Sequence, residues 1–230
     1  MNKYAELEAK IEIKFGDPAL FDVAFTHKSY INEHRDENLK DNERLEFLGD
    51  AVLELAATNH LFYNYPDKPE GEMTAYRSAL VKGKHLAKVA KNLDLGKYLF
   101  LSHGEEKSGG REKNYILANT VEALIGAIYI EQGYDTAEKF IKKFIIAEID
   151  TIIEQGLHID PKSQLQEMAQ DKEDFTPYYE LVANDGPDHD KQFTMGVYIN
   201  DKIIAEGTGS SKQKAENSAA ENALKALKWD

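Results

Sequence analysis

Residues 116–130, ILANTVEALIGAIYI, limit most narrowly what this chain can fold into. The stretch is almost wholly apolar and rich in small residues, so as a helix it is expected to be buried on several sides. Two polar positions interrupt it. Asn119 and Glu122 are three apart and share a helix face. A buried carboxylate without a partner is costly. Whatever packs there must answer Glu122 with a hydrogen bond, a basic side chain or a cation.

The first 155 residues read as helical almost throughout, with apolar positions recurring at three and four. Helices are expected near 3–15, 18–25, 41–64, 71–93, 112–132 and 134–154. NYPDKPEG (64–71) is a break and SHGEEKSGGREKN (102–114) a polar loop. The period changes at EQGLHIDPK (154–162). SQLQEMAQ reads as a short helix. PYYELVAND, QFTMGVYIN and KIIAEGTG then alternate as strands separated by turns at NDG and IND. SSKQKAENSAAENALKALK is an alanine-rich helix capped by serine. The expected fold is an all-α domain over residues 1–155, a linker over 156–161, and a small α+β domain of order α-β-β-β-α over 162–230.

Composition bounds the chemistry. The 230 residues include no cysteine, which excludes a disulfide framework and thiolate metal sites. The start, MNKYAELEAKIEIKFGD, is charged throughout, unlike a signal peptide. No apolar run approaches the length of a membrane helix. A cytoplasmic protein without a membrane partner is expected. The net charge of −13 favours cations over phosphates. A nucleic-acid reading must therefore rest on local patches.

The helix beginning DNERLEFLGDAVLELAATNHLF supplies one set of acids. Glu43, Glu46 and Asp50 fall within about 60° of one another on its surface. Leu45, Leu48, Val52 and Leu55 form the expected packing face, and Phe47 lies beside the acids. Alone, this would be an ordinary solvated acidic face. Asn119 and Glu122 repeat the spacing of Glu43 and Glu46, above an apolar face of Leu117, Val121, Leu124 and Ile128. Gly126 falls where Asp50 falls. Packed against the first helix, Glu122 would meet Glu46 and Asp50, whose like charges repel. A divalent cation resolves the conflict, and hard oxygen ligands suit Mg²⁺. The alternative is a core ion pair of Glu122 with Arg44 or Arg77. His27, in THKS, is expected to cap a turn and not to ligate metal.

NERLEFLGDAVLE (42–54), with LFDVAFTHKSY, PEGEMTAYRSALV and LANTVEALIGAIY in order, resembles the ribonuclease III family of double-stranded-RNA endonucleases. The second half is similar to a double-stranded-RNA-binding domain. The resemblance implies a helical endonuclease domain acting as a homodimer, with two sites that each cut one strand using Mg²⁺-activated water. Mn²⁺ is an expected substitute, and no nucleotide cofactor is implied. Products would carry a 5′-phosphate and a 3′-hydroxyl, and the substrates would be structured rRNA and mRNA precursors. Metal and catalytic roles fall by position on Glu46, Asp50, Asn119 and Glu122, with supporting acids at Glu43 and Glu70. Phe47 matches the aromatic that inserts into the partner subunit. Asn119 stands where the family has aspartate. An amide oxygen can ligate Mg²⁺ but brings no charge, so reduced cleavage with intact fold and RNA binding is expected. The rival reading is a protein that clamps duplex RNA without cutting it.

The second half is acidic too, at net −6 from Asp160 onward. Its lysines are nonetheless placed. In GTGSSKQKAEN, Ser211, Lys212 and Lys214 open a helix whose N-terminus already favours phosphate. Ser163, Gln166, Glu167 and Gln170 share one face of the preceding helix and suit the 2′-hydroxyls of a minor groove. GPDHDK (186–191) matches the family loop that enters the next minor groove, with Pro187 and His189 at its tip.

Overall fold

The computed structural model describes residues 3–34, 39–187 and 191–227. The chain divides into two compact units, Met1–His158 and Ile159–Asp230.

The first unit is helical: α1 (Ala5–Ile11), α2 (Pro18–Ala24), α3 (Lys28–Glu33), α4 (Glu43–Asn64), α5 (Glu70–Leu80), α6 (Gly83–Asn92), α7 (His103–Lys107), α8 (Asn114–Gln132), α9 (Tyr134–Phe144) and α10 (Ile149–Glu154). The expected helices are present, but several are shorter or divided. The 71–93 stretch is two helices, because Lys82 turns extended (ψ 131°) ahead of Gly83. The 134–154 stretch is broken by a 3-10 turn at Ile146–Glu148. α1 stops at Ile11 because Glu12 adopts a left-handed conformation (φ 60°). The expected loop at 102–114 contains α7, whose first turn is capped by the Ser102 hydroxyl. α3 was not anticipated. His27 caps it by accepting from the Ser29 backbone N–H at 3.2 Å, the capping role expected of it.

α8 is the central element. Eleven of its residues are buried, among them Val121, Leu124, Ile125 and Ile128. α4 packs along it, contributing Leu45, Val52, Leu53, Ala56, Ala57 and Leu61 to the core. Leu55, expected on that packing face, is 51% exposed instead. Its place is taken by Leu53, Ala56 and Ala57, so the buried stripe lies further round the helix.

Two glycines set the spacing of these helices. A Cβ on Gly49 would overlap the Glu122 carbonyl oxygen, with the carbonyl carbon at 2.6 Å and Gly126 N at 2.9 Å. A Cβ on Gly126 would strike the Leu45 carbonyl. The backbones touch there, which is what a helix-interior glycine permits despite its conformational cost.

The second unit is α11 (Pro161–Glu173), β1 (Tyr178–Asp185), β2 (Gln192–Ile199), β3 (Lys202–Gly209) and α12 (Lys212–Leu227). The sheet is antiparallel in the order β1-β2-β3. Tyr178 faces Tyr198, and their rings stack at 5.1 Å. Asn200 and Asp201, both at positive φ, make the β2–β3 turn. Leu165, Ala169, Val197, Ile199, Ala219 and Ala223 form a separate core between the sheet and the two helices. α11 is longer than the short helix expected. It starts at Pro161, where the Asp160 carboxylate accepts from Ser163 N–H at 3.0 Å.

Candidate active site

The crossing of α4 and α8 gathers the polar residues of both helices. Glu46 and Asp50 project from α4 on either side of Gly49, and Asn119 and Glu122 from α8. Glu122 is partly buried, and its carboxyl is pushed up to about 7 by desolvation first, then by the charges of Asp50 and Glu46. Glu46 is raised by burial and by Glu43, Asp50 and Asp41, while the polar side chain of Asn119 pulls it back. Only the amide NH₂ of Asn119 can donate, so its carbonyl oxygen is left for another partner. An ionised aspartate at 119 would raise Glu46 further instead of opposing the rise. This link was invisible in the sequence, where Asn119 read only as a missing charge.

Among the described residues no base answers Glu122. Arg77 donates to the Thr58 hydroxyl at 3.1 Å, and Arg44 is exposed. The charges acting on Glu122 are both negative. The core ion pair considered as an alternative does not form among the described residues. The donor set consists of carboxylate and amide oxygens, with no sulfur or imidazole, which fits a hard cation such as Mg²⁺. The side chains stand apart: among the described residues no three acidic or histidine groups converge into a metal site.

Glu43 lies on the rim of this cluster, paired with Lys28 at 2.8 Å, both side chains being exposed. Glu70 stands at the start of α5, accepting from the Thr74 hydroxyl at 3.0 Å. It is not among the charges acting on Glu46 or Glu122, so it is not brought into the cluster. Phe47 is 81% exposed beside the acids.

In the second unit, Ser163, Gln166, Glu167 and Gln170 are exposed along α11. Gln170 is engaged by Asp174 at 2.6 Å. Ser163 and Gln166 share a polar hollow of about 310 Å³ with Gln213 and Asn217, two α12 residues missed in the sequence. Their spacing of four on one helix face is the signal that could have found them. Tyr179 lines the same hollow, its hydroxyl buried without a hydrogen-bond partner among the described residues. Ser211 caps α12 through Lys214 N–H at 3.3 Å. The Lys212 and Lys214 side chains are exposed, and Lys214 reaches the Ser210 hydroxyl at 3.0 Å. Pro187 is exposed, whereas His189 lies outside the described residues.

The comparisons agree with this division. Residues 17–149 match the family model described as ribonuclease-III-like, and residues 161–227 match the double-stranded RNA binding motif. A protein named Ribonuclease 3 from Listeria welshimeri is 44% identical over 227 residues, 99% of each chain. Another of that name, from Enterococcus faecalis, is 46% identical over 222 residues, 96% of each. Among solved structures, the nuclease domain of ribonuclease III from Campylobacter jejuni covers 62% of this chain and 96% of its own, at 40% identity and a TM-score of 0.58. With a helical unit built around paired carboxylates and a second unit of the double-stranded-RNA-binding kind, the chain belongs to the ribonuclease III family.

Proposed function

We propose that the protein is a Mg²⁺-dependent endoribonuclease that cuts both strands of duplex RNA as a homodimer and matures structured rRNA and mRNA precursors. The observation that carries this reading is the uncompensated cluster of Glu46, Asp50 and Glu122 at the α4–α8 crossing. Glu46, Asp50, Glu122 and the Asn119 carbonyl oxygen would hold the cation, which when bound supplies Lewis acidity toward a phosphate and its attacking water. Mn²⁺ suits the same oxygen donors. Water adds to phosphorus, the P–O3′ bond breaks, and O3′ leaves as a hydroxyl, giving a 5′-phosphate on the other fragment. Glu122, its carboxyl raised to about 7 by desolvation and then by Asp50 and Glu46, is about half protonated near neutrality, and a bound cation would favour its ionised form. The exposed side chain of Phe47 beside the acids suits insertion into a second copy. The Campylobacter jejuni nuclease domain is described for flexibility in a region involved in its dimer formation, which supports the homodimer.

Asn119 lowers cleavage. It brings no charge to the ligand set. Binding of duplex RNA is unaffected, since it rests on the second unit. The test compares this protein with Asn119→Asp on long duplex RNA and Mg²⁺. The aspartate variant should cut faster, most visibly at low Mg²⁺. Equal cutting refutes the reading of Asn119. Binding by both with cleavage by neither would favour a clamp that holds duplexes without cutting.

A further inference from the structure

One strongly basic feature of the helical unit plays no part in the acid cluster. Residues 73–93, MTAYRSALVKGKHLAKVAKNL, carry one arginine and four lysines and no Asp or Glu, in a chain of net charge −13. Lys84, Lys88 and Lys91 recur at four and three along α6, so they share one face. Lys82 stands immediately before the helix. This face borders a cavity of about 560 Å³ between α6 and α10, a size typical of sites for small organic ligands.

The basic charge there is only partly answered. Lys88 is held by Glu148 at 2.6 Å, and the same carboxylate lies 3.8 Å from His85 Nδ1. His85 Nε2 is 3.0 Å from the Ile145 carbonyl oxygen. Glu148 is the one carboxylate among the described lining residues. Lys91 donates only to the neutral Asn114 side chain, at 2.9 Å. Lys82 and Lys84 make no ion pair among the described residues. Three lysines thus line one cavity with no ion pair of their own among the described residues. The remaining wall is of another kind: Ala79, Ile152 and Leu157 are apolar, and Asn92, Thr151 and Gln155 are neutral and polar.

We propose that this cavity binds a nucleoside polyphosphate, with its phosphates on Lys82, Lys84 and Lys91 and its base against Ile152 and Leu157. Several uncompensated lysines call for more than one negative charge on the ligand. An apolar wall beside amide and hydroxyl groups fits a flat base with polar edges. A bare inorganic anion would leave that wall unused. A rigid RNA duplex would bring only backbone phosphates to the rim of a concave site. The ligand is not a cofactor of cleavage, and the inference is independent of the reading given to the acids of α4 and α8.

The test is isothermal titration calorimetry on the full chain with EDTA present, so that the acid cluster holds no cation and repels phosphate. ATP and GTP are compared with tripolyphosphate and with adenosine. The same titrations are made on the double variant Lys84→Ala, Lys91→Ala, with its thermal melt confirming the fold. At least one nucleotide should bind one-to-one, and about tenfold more weakly in the variant. Tripolyphosphate and adenosine should each bind more weakly than that nucleotide, and duplex-RNA cleavage by the variant should be unchanged. Absence of binding by both nucleotides, unchanged affinity in the variant, or equal affinity for tripolyphosphate overturns the proposal. So does a variant that loses affinity for duplex RNA while neither nucleotide binds, because the lysines then serve the RNA backbone.

Discussion

Gly49→Ala should damage stability and cleavage together. The added Cβ would stand 2.6 Å from the Glu122 carbonyl carbon and 2.9 Å from Gly126 N. Carbon contacts sit near 3.5–4.0 Å, so α4 and α8 must part by about 1 Å. The obstacle is backbone, and no side chain can turn aside to relieve it. Overpacking of this kind costs about 3 kcal/mol, the upper end of its usual range. Alanine returns about 1 kcal/mol of helix propensity, leaving a net loss of about 2 kcal/mol. The same parting separates Glu46 and Asp50 from Asn119 and Glu122. A displacement of about 1 Å at reacting groups can cost about a hundredfold in rate. The assays are urea unfolding and single-turnover cleavage of a duplex RNA with Mg²⁺. Gly104→Ala on α7 is the control, since a Cβ there meets nothing within 4 Å. If Gly49→Ala matches Gly104→Ala in both assays, the helices are not held in backbone contact and the account of how the acids are gathered fails.

Other substitutions probe separate parts of the molecule. Glu122 has a folded pKa of about 7, against an ordinary 4.5. The folded state thus binds its proton more tightly, and the associated stability is full below pH 4.5 and lost as pH rises through 7. Allowing for solvent screening at this partly exposed carboxyl, the loss is about 1–2 kcal/mol. In EDTA, Glu122→Gln should therefore gain that much over the unsubstituted protein between pH 5 and pH 8, read from urea midpoints; a constant difference across that range would refute the raised pKa. Phe47→Ala should weaken self-association about thirtyfold, as expected for an aromatic anchor; an unchanged sedimentation-equilibrium dissociation constant would remove Phe47 from any interface. Lys212→Ala with Lys214→Ala should weaken duplex binding broadly and flatten its salt dependence by about two counterions. Filter binding across a salt series reads both effects, and an unchanged slope would show that neither lysine meets a phosphate.

Much of this was legible in the sequence because it is written in local periodicity. The apolar run 116–130 determined a buried helix, and the shift from three-and-four spacing to alternation determined an α+β second unit. The offset shared by Glu43–Glu46 and Asn119–Glu122 pointed to two polar faces that meet. The Asp160 and Ser211 caps lie within a few residues of what they bond.

Tertiary structure decided the rest, since those features join residues far apart in the chain. Leu55 and Leu53 differ by two positions, and only the direction of α8 determined which is buried. The Gly49–Gly126 approach became meaningful once α4 and α8 were in contact, because the atoms that each added Cβ would strike belong to the other helix. The same contact set Asn119 beside Glu46 across the crossing, where it opposes the rise in the Glu46 pKa, and left Glu122 with two anions and no base among the described residues. Helix period determines which face a side chain occupies. What that face meets depends on a partner element more than seventy residues away, whose placement follows from the packing of the whole core.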